Sequence, residues 1–89
     1  GVSTAVEKFR RQSEAGLAEA LGAPHAQLDV PPARIWNYRT GDCELDIFFY
    51  LDMARNSFHA LQYDVKPPNM TPAAKERCLI RLREDAAKR

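Results

Sequence analysis

GDCELDIFFYLD, residues 41–52, alternates with a period of two: Cys43, Leu45, Ile47, Phe49 and Leu51 point one way, Glu44, Asp46, Phe48 and Tyr50 the other. That period predicts a β-strand over 43–51 that buries one face. The segments on either side repeat the pattern. ARIWNYRT, residues 33–40, reads as a first strand joined to it through Thr40-Gly41-Asp42, a short hairpin signal. DMARNS, 52–57, reads as a longer turn, and FHALQYDVK, 58–66, as a third strand. There His59, Leu61, Tyr63 and Val65 alternate with Phe58, Ala60, Gln62 and Asp64. PPNM then breaks the pattern, and Thr71-Pro72 opens a helix with a capping hydroxyl and a proline at its first position. The helix is expected to run to about Lys88, with Cys78, Leu79, Leu82 and Ala86 on its apolar stripe and Ile80 off it.

Ahead of the strands, Thr4 to Gly22 reads as helix, either two short helices meeting near Ser13 or one bent helix. Thr4 and Glu7 fit a capping box, Ser13 can cap a new segment, and Gly22 followed by Pro24 is a stop signal. Residues 23–33, which contain Pro24, Pro31 and Pro32, read as a loop. The expected fold class is therefore α+β: an N-terminal helix or helix pair and a C-terminal helix packed on a three-stranded antiparallel meander, one domain over residues 1–89. Three strands with one apolar face need a helical cover to be stable in water. The expected core face collects Leu45, Ile47, Phe49, Leu51, Leu61, Tyr63 and Val65, joined by Trp36 and Tyr38. The second face mixes Ile35, Phe48, Tyr50, Phe58 and Ala60 with Glu44, Asp46 and Gln62. It is too apolar to be fully wet and too polar for a second core. It is either partly covered by the last helix or a binding surface, and in the second case Ile35, Phe48, Tyr50 and Phe58 are the candidate protein-interaction residues.

Composition narrows the class. The 89 residues are 45% hydrophobic and 28% charged, the profile of a globular domain rather than a disordered chain. A net charge of +1 offers nothing for nucleic acid. Residues 70–89 carry six basic and three acidic side chains, read as the solvated face of the last helix. No run of ~18 apolar residues occurs, so no span is expected, and membrane contact would come only through a lipid anchor N-terminal to this sequence.

The two cysteines, Cys43 and Cys78, do not have metal-ligand spacing. They leave two readings: a pair of buried thiols or one disulfide. The disulfide is favoured, because it would tie the start of the second strand to a terminal helix with a thin apolar stripe. A disulfide in turn implies an oxidising compartment. A Cys43–His59–Asp46 set is the only nucleophile arrangement on offer, and strand parity places Cys43 and Asp46 on opposite faces. Glu44 and Asp46 share a face about 7 Å apart, and read as a solvated strand face rather than an acid–base pair. No catalytic residue, cofactor, metal site or small-molecule substrate is expected.

LAEALGAP (17–24), IWNYR (35–39), CELDIFFYLD (43–52) and HALQYDV (59–65) together resemble the SmpA/OmlA/BamE-type small outer-membrane lipoproteins. That family's pattern is a helix ending in leucine-glycine-x-proline, then a tryptophan-x-tyrosine strand and two more strands. Leu21, Gly22, Pro24, Trp36 and Tyr38 match it. The resemblance implies helices against a three-stranded sheet and a non-enzymatic scaffolding role on an envelope protein partner, in the periplasm or on the periplasmic side of the outer membrane. The cysteine pair and the C-terminal helix lie outside the pattern and mark a divergent member. The alternatives are a periplasmic or secreted protein inhibitor and a cytosolic adaptor.

Overall fold

The computed structural model describes residues 11–41 and 43–88. The elements are α1 (Glu14–Leu21), β1 (Ala26–Val30), β2 (Ala33–Thr40), β3 (Cys43–Asp52), β4 (Ser57–Lys66) and α2 (Pro72–Lys88). The strands form one antiparallel sheet in the order β1-β2-β3-β4. The helices pack on one side of it, so the class is α+β. The sheet is four-stranded, which corrects the three-stranded expectation. The extra strand is β1, inside the stretch read as a loop. All five of its residues are exposed, so it carries no burial signature to read. Its turn, Pro31–Pro32, has a cis peptide and consists of two residues that ordinarily signal an interruption.

The helix expected from Thr4 lies outside the described residues as far as residue 10. From Arg11 the chain is not helical: Arg11 has φ 64° and Ser13 is extended. Ser13 is the N-cap of α1, its Oγ accepting the Gly16 N–H at 3.1 Å. Gly22 ends α1 at φ 73°, a left-handed conformation that glycine adopts without a Cβ clash, and its N–H returns to the Ala18 carbonyl at 2.8 Å. The Gly22 carbonyl accepts the hydroxyl of buried Tyr38 at 2.8 Å. The leucine-glycine stop and the tryptophan-x-tyrosine strand are thus parts of one packing unit.

The core lies between the sheet and the two helices. Cys43, Leu45, Ile47 and Phe49 of β3 are buried as their alternation predicts. They meet Trp36 and Tyr38 of β2, Leu17 and Leu21 of α1, and Cys78, Leu79 and Leu82 of α2. The Trp36 and Phe49 rings lie 4.8 Å apart, tilted by 57°. Each fully buried Leu or Ile contributes roughly 1.5–3 kcal/mol relative to exposure.

A β-bulge corrects the assignment of faces on β4. The pairing runs from Glu44↔Lys66 to Phe48↔Gln62, then resumes at Phe49↔Ala60 and Leu51↔Phe58. Leu61 is the unmatched residue, and the phase of β4 flips across it. Tyr63 and Val65 face the core as expected, but so do Phe58 and Ala60, while Leu61 is 57% exposed. Leu51, opposite Phe58 at the end of the sheet, is 48% exposed and outside the core.

α2 begins where the cap predicts: Thr71 Oγ1 accepts the Ala74 N–H at 3.1 Å and Pro72 is the first helical residue. Its buried stripe is only Cys78, Leu79 and Leu82. Two further ties hold it. Thr40 Oγ1 donates to the Asp85 carboxylate, and Cys43 and Cys78 form a disulfide. The bond closes a loop with a sequence separation of 35. In the chain-entropy account a loop of that length contributes roughly 4 kcal/mol. Replacing both cysteines by alanine is therefore expected to lower unfolding stability by about 3–4 kcal/mol in urea titrations. A loss below about 1 kcal/mol would mean that the stripe and the Thr40–Asp85 bond hold α2 without the disulfide.

Candidate protein-binding face

The side of the sheet turned away from both helices is built by the even-numbered residues of β3 and their cross-strand partners. Directly opposed residues share a face, so the register gives its layout. Phe48 stands opposite Ile35, and Ile35 opposite Leu28. Tyr50 stands opposite Ala33, and Ala33 opposite Val30. These six side chains make one apolar half. Leu28 is 60% and Val30 46% exposed, with Ile35, Phe48 and Tyr50 half-buried. Among the described residues no helix packs on this half.

The other half is ionic. Asn37 Nδ2 donates to Asp46 Oδ1 at 2.7 Å and to Glu44 Oε2 at 3.2 Å, bridging the two carboxylates. Lys66 Nζ lies 2.9 Å from Asp46 Oδ2. The hydrogen bond to Asp46, then its charge, raises the Lys66 pKa above its ordinary 10.5. The lysine's share of that contact is therefore undiminished at neutral pH and fades as pH rises through the raised value. Both carboxylates are engaged in holding the strands together, and Asp46 is largely shielded from solvent by its partners.

Of the four residues singled out in the sequence, the structure brings three together. Ile35, Phe48 and Tyr50 are neighbours on the open face. Phe58 is not among them, because the Leu61 bulge turns it to the core side. There the Arg34 guanidinium stacks 4.1 Å from the Phe58 ring centroid. Arg34 Nη1 also donates to both carboxylate oxygens of Glu14, at 3.0 and 2.9 Å, at the start of α1, and Arg34 Nε donates to Asp29 at 3.2 Å. The hydrogen bond to Glu14 is the largest cause of the raised Arg34 pKa. Phe58 is thus a packing residue under an ion pair.

Leu28 and Val30 belong to the face and were missed with β1 itself. So was a depression of about 250 Å³ at the Tyr50 end, lined by Arg11, Tyr50, Leu51, Asp52, Arg55, His59 and Leu61. Arg55 pairs there with Asp52 at 3.6 Å, and Asp52 Oδ1 caps the β3–β4 turn by accepting the Ala54 N–H at 3.0 Å. The nucleophile set does not assemble. Cys43 is bonded to Cys78, and His59 Nδ1 lies 3.3–3.4 Å from the Ser57 carbonyl and hydroxyl oxygens. Among the described residues no three His, Cys, Asp or Glu side chains converge as metal ligands, and no helix is long and apolar enough to cross a membrane.

The chain matches no protein-family model, no curated protein and no solved structure. The chemistry of the face therefore rests on its own geometry: an apolar surface with two aromatic rings, Phe48 and Tyr50, beside an ordered charge network. Its apolar side chains offer contact area, and the charge network beside them offers polar groups that can set orientation.

The two phenylalanines should separate on substitution. Phe58→Ala removes a ring from beneath Arg34 and should cost about 2–4 kcal/mol of stability. Phe48→Ala empties no enclosed space and should cost about 1 kcal/mol or less. Chemical denaturation of both variants checks the assignment of the faces, and equal losses would contradict it.

Proposed function

We propose that this chain is a non-enzymatic protein-binding domain of the bacterial envelope, acting in the periplasm or at the periplasmic side of the outer membrane. The observation that carries the reading is the uncovered apolar half-sheet formed by Ile35, Phe48 and Tyr50 with Leu28 and Val30. Aromatic side chains held on a rigid sheet lose little entropy on docking and are the usual anchors of protein interfaces. The ionic half, Asn37 with Glu44, Asp46 and Lys66, would form the polar rim that sets orientation.

Two further observations support the compartment. The Cys43–Cys78 disulfide is of a kind that persists outside the reducing cytosol. The residues that resemble the envelope lipoproteins, Leu21-Gly22 with Trp36 and Tyr38, make a structural unit through the Tyr38–Gly22 hydrogen bond. The role that follows is scaffolding: holding a partner protein in place without turning over a substrate.

The test is site-specific photo-crosslinking in intact envelopes. A photoreactive residue replacing Phe48 should capture a discrete protein partner. The same residue at Ile80, exposed on α2 on the other side of the sheet, should not. The additional change Tyr50→Ala should reduce the position-48 adduct at least ~10-fold, about 1.4 kcal/mol, while the fold is retained. No adduct at 48, or equal capture at 80, would defeat the proposal. Two free thiols in unreduced native protein would favour the cytosolic adaptor instead.

A further inference from the structure

The two edges of the sheet are treated differently. The outer edge of β4 is guarded. It carries the Leu61 bulge, and Arg11–Ser13 run beside it. The Arg11 N–H donates to the Ala60 carbonyl at 2.7 Å, the Ala60 N–H donates to the Gln12 carbonyl at 2.8 Å, and Ser13 bridges His59. The outer edge of β1 is short and carries Asp29, but it has no lysine, no internal proline and no bulge. Among the described residues no segment pairs with it. The helices sit over β2, β3 and β4, so β1 projects past the helical layer with all five residues exposed. Its alternate backbone N–H and C=O groups face outward.

We propose that β1 is a self-association edge, on which two copies of this chain pair antiparallel about a twofold axis at Leu28. The register selects this occupant. A symmetric pairing centred on Leu28 engages all five residues: Ala26 with Val30, Gln27 with Asp29, and Leu28 with its own copy. Apolar meets apolar on one face, and an amide meets a carboxylate on the other. Moving the centre to Asp29 sets two carboxylates against each other. Moving it to Gln27 leaves fewer residues paired. A shift by one residue would lay Leu28 against Gln27 and put the helices of the copies on opposite sides. The Leu28-centred register instead keeps all helices on one side and joins the two open faces into one, across an eight-stranded sheet built from two four-stranded ones. Two five-residue strands bury less than the ~1,000 Å² of a stable interface, so the dimer is weak, in roughly the 10–100 µM range. This goes beyond the binding reading of the open face and does not depend on it.

Sedimentation velocity from ~1 to ~500 µM should show a concentration-dependent dimer. Leu28→Lys places two ammonium groups opposite each other and should weaken it at least ~10-fold, with an unchanged circular dichroism spectrum. Leu28 is 60% exposed, so lysine there is compatible with the fold. A short bis-maleimide should link Leu28→Cys copies but not Val30→Cys copies, whose residues lie ~13 Å apart along the strands in this register. A wild-type chain that stays monomeric throughout overturns the proposal. So does equal linking at both positions, or a dimer weakened by Phe48→Ala but not by Leu28→Lys, which would assign it to the open face.

Discussion

The bond between Cys43 and Cys78 is the constraint on which the rest of this small domain depends. α2 buries only Leu79 and Leu82 beside its cysteine, and the rest of its length is half-buried or exposed. A helix so thinly amphipathic gains little from burial alone. Anchored at Cys43, the first residue of β3, it covers the end of the sheet where Leu45 and Tyr38 lie, and Thr40 adds a second tie through Asp85. With α2 fixed and α1 stopped by Gly22 over Tyr38, one side of β2, β3 and β4 is covered by helices. The opposite side is left without a described cover, and that asymmetry defines the candidate site.

The open face is also patterned along its strands. Carboxylates, an amide and a lysine tie β2, β3 and β4 together at the Cys43 end. Aromatic and branched side chains occupy the end near the β3–β4 turn. The charged cluster fixes the register of the strands that carry the apolar cluster. The strand-tying pair Glu44 and Asp46 and the uncovered pair Phe48 and Tyr50 thus lie on the same alternation of β3.

Much of this was legible in the residues, for identifiable reasons. β2 and β3 were readable because one face of each is buried and alternation records it. The start of α2 was readable because Thr71 and Pro72 have a single common use. The disulfide was readable because two isolated cysteines and a poorly anchored helix suit each other. β1 was not readable, since an exposed edge strand leaves no burial period and its turn is made of two prolines. The face of Phe58 was not readable either. A bulge adds one residue without changing composition, and only the pairing to β3 reveals that Leu61 is the extra one. The candidate site was accordingly seen in part: Ile35, Phe48 and Tyr50 in the right place, Phe58 on the wrong side, Leu28 and Val30 absent.

The Leu61 bulge also bears on how such a chain can diverge. β4 is phased by β3 through two separate stretches, and the surplus residue between them absorbs the difference. Deleting the Leu61 codon would remove the bulge yet keep Ala60 opposite Phe49 and Phe58 opposite Leu51, so the ring would stay beneath Arg34. Adding a codon in the turn at residues 53–56, where no side chain is buried, would disturb neither stretch. Length variation among descendants of this sequence should therefore gather at the hairpin tip and at the surplus position 61, and avoid the paired residues on either side.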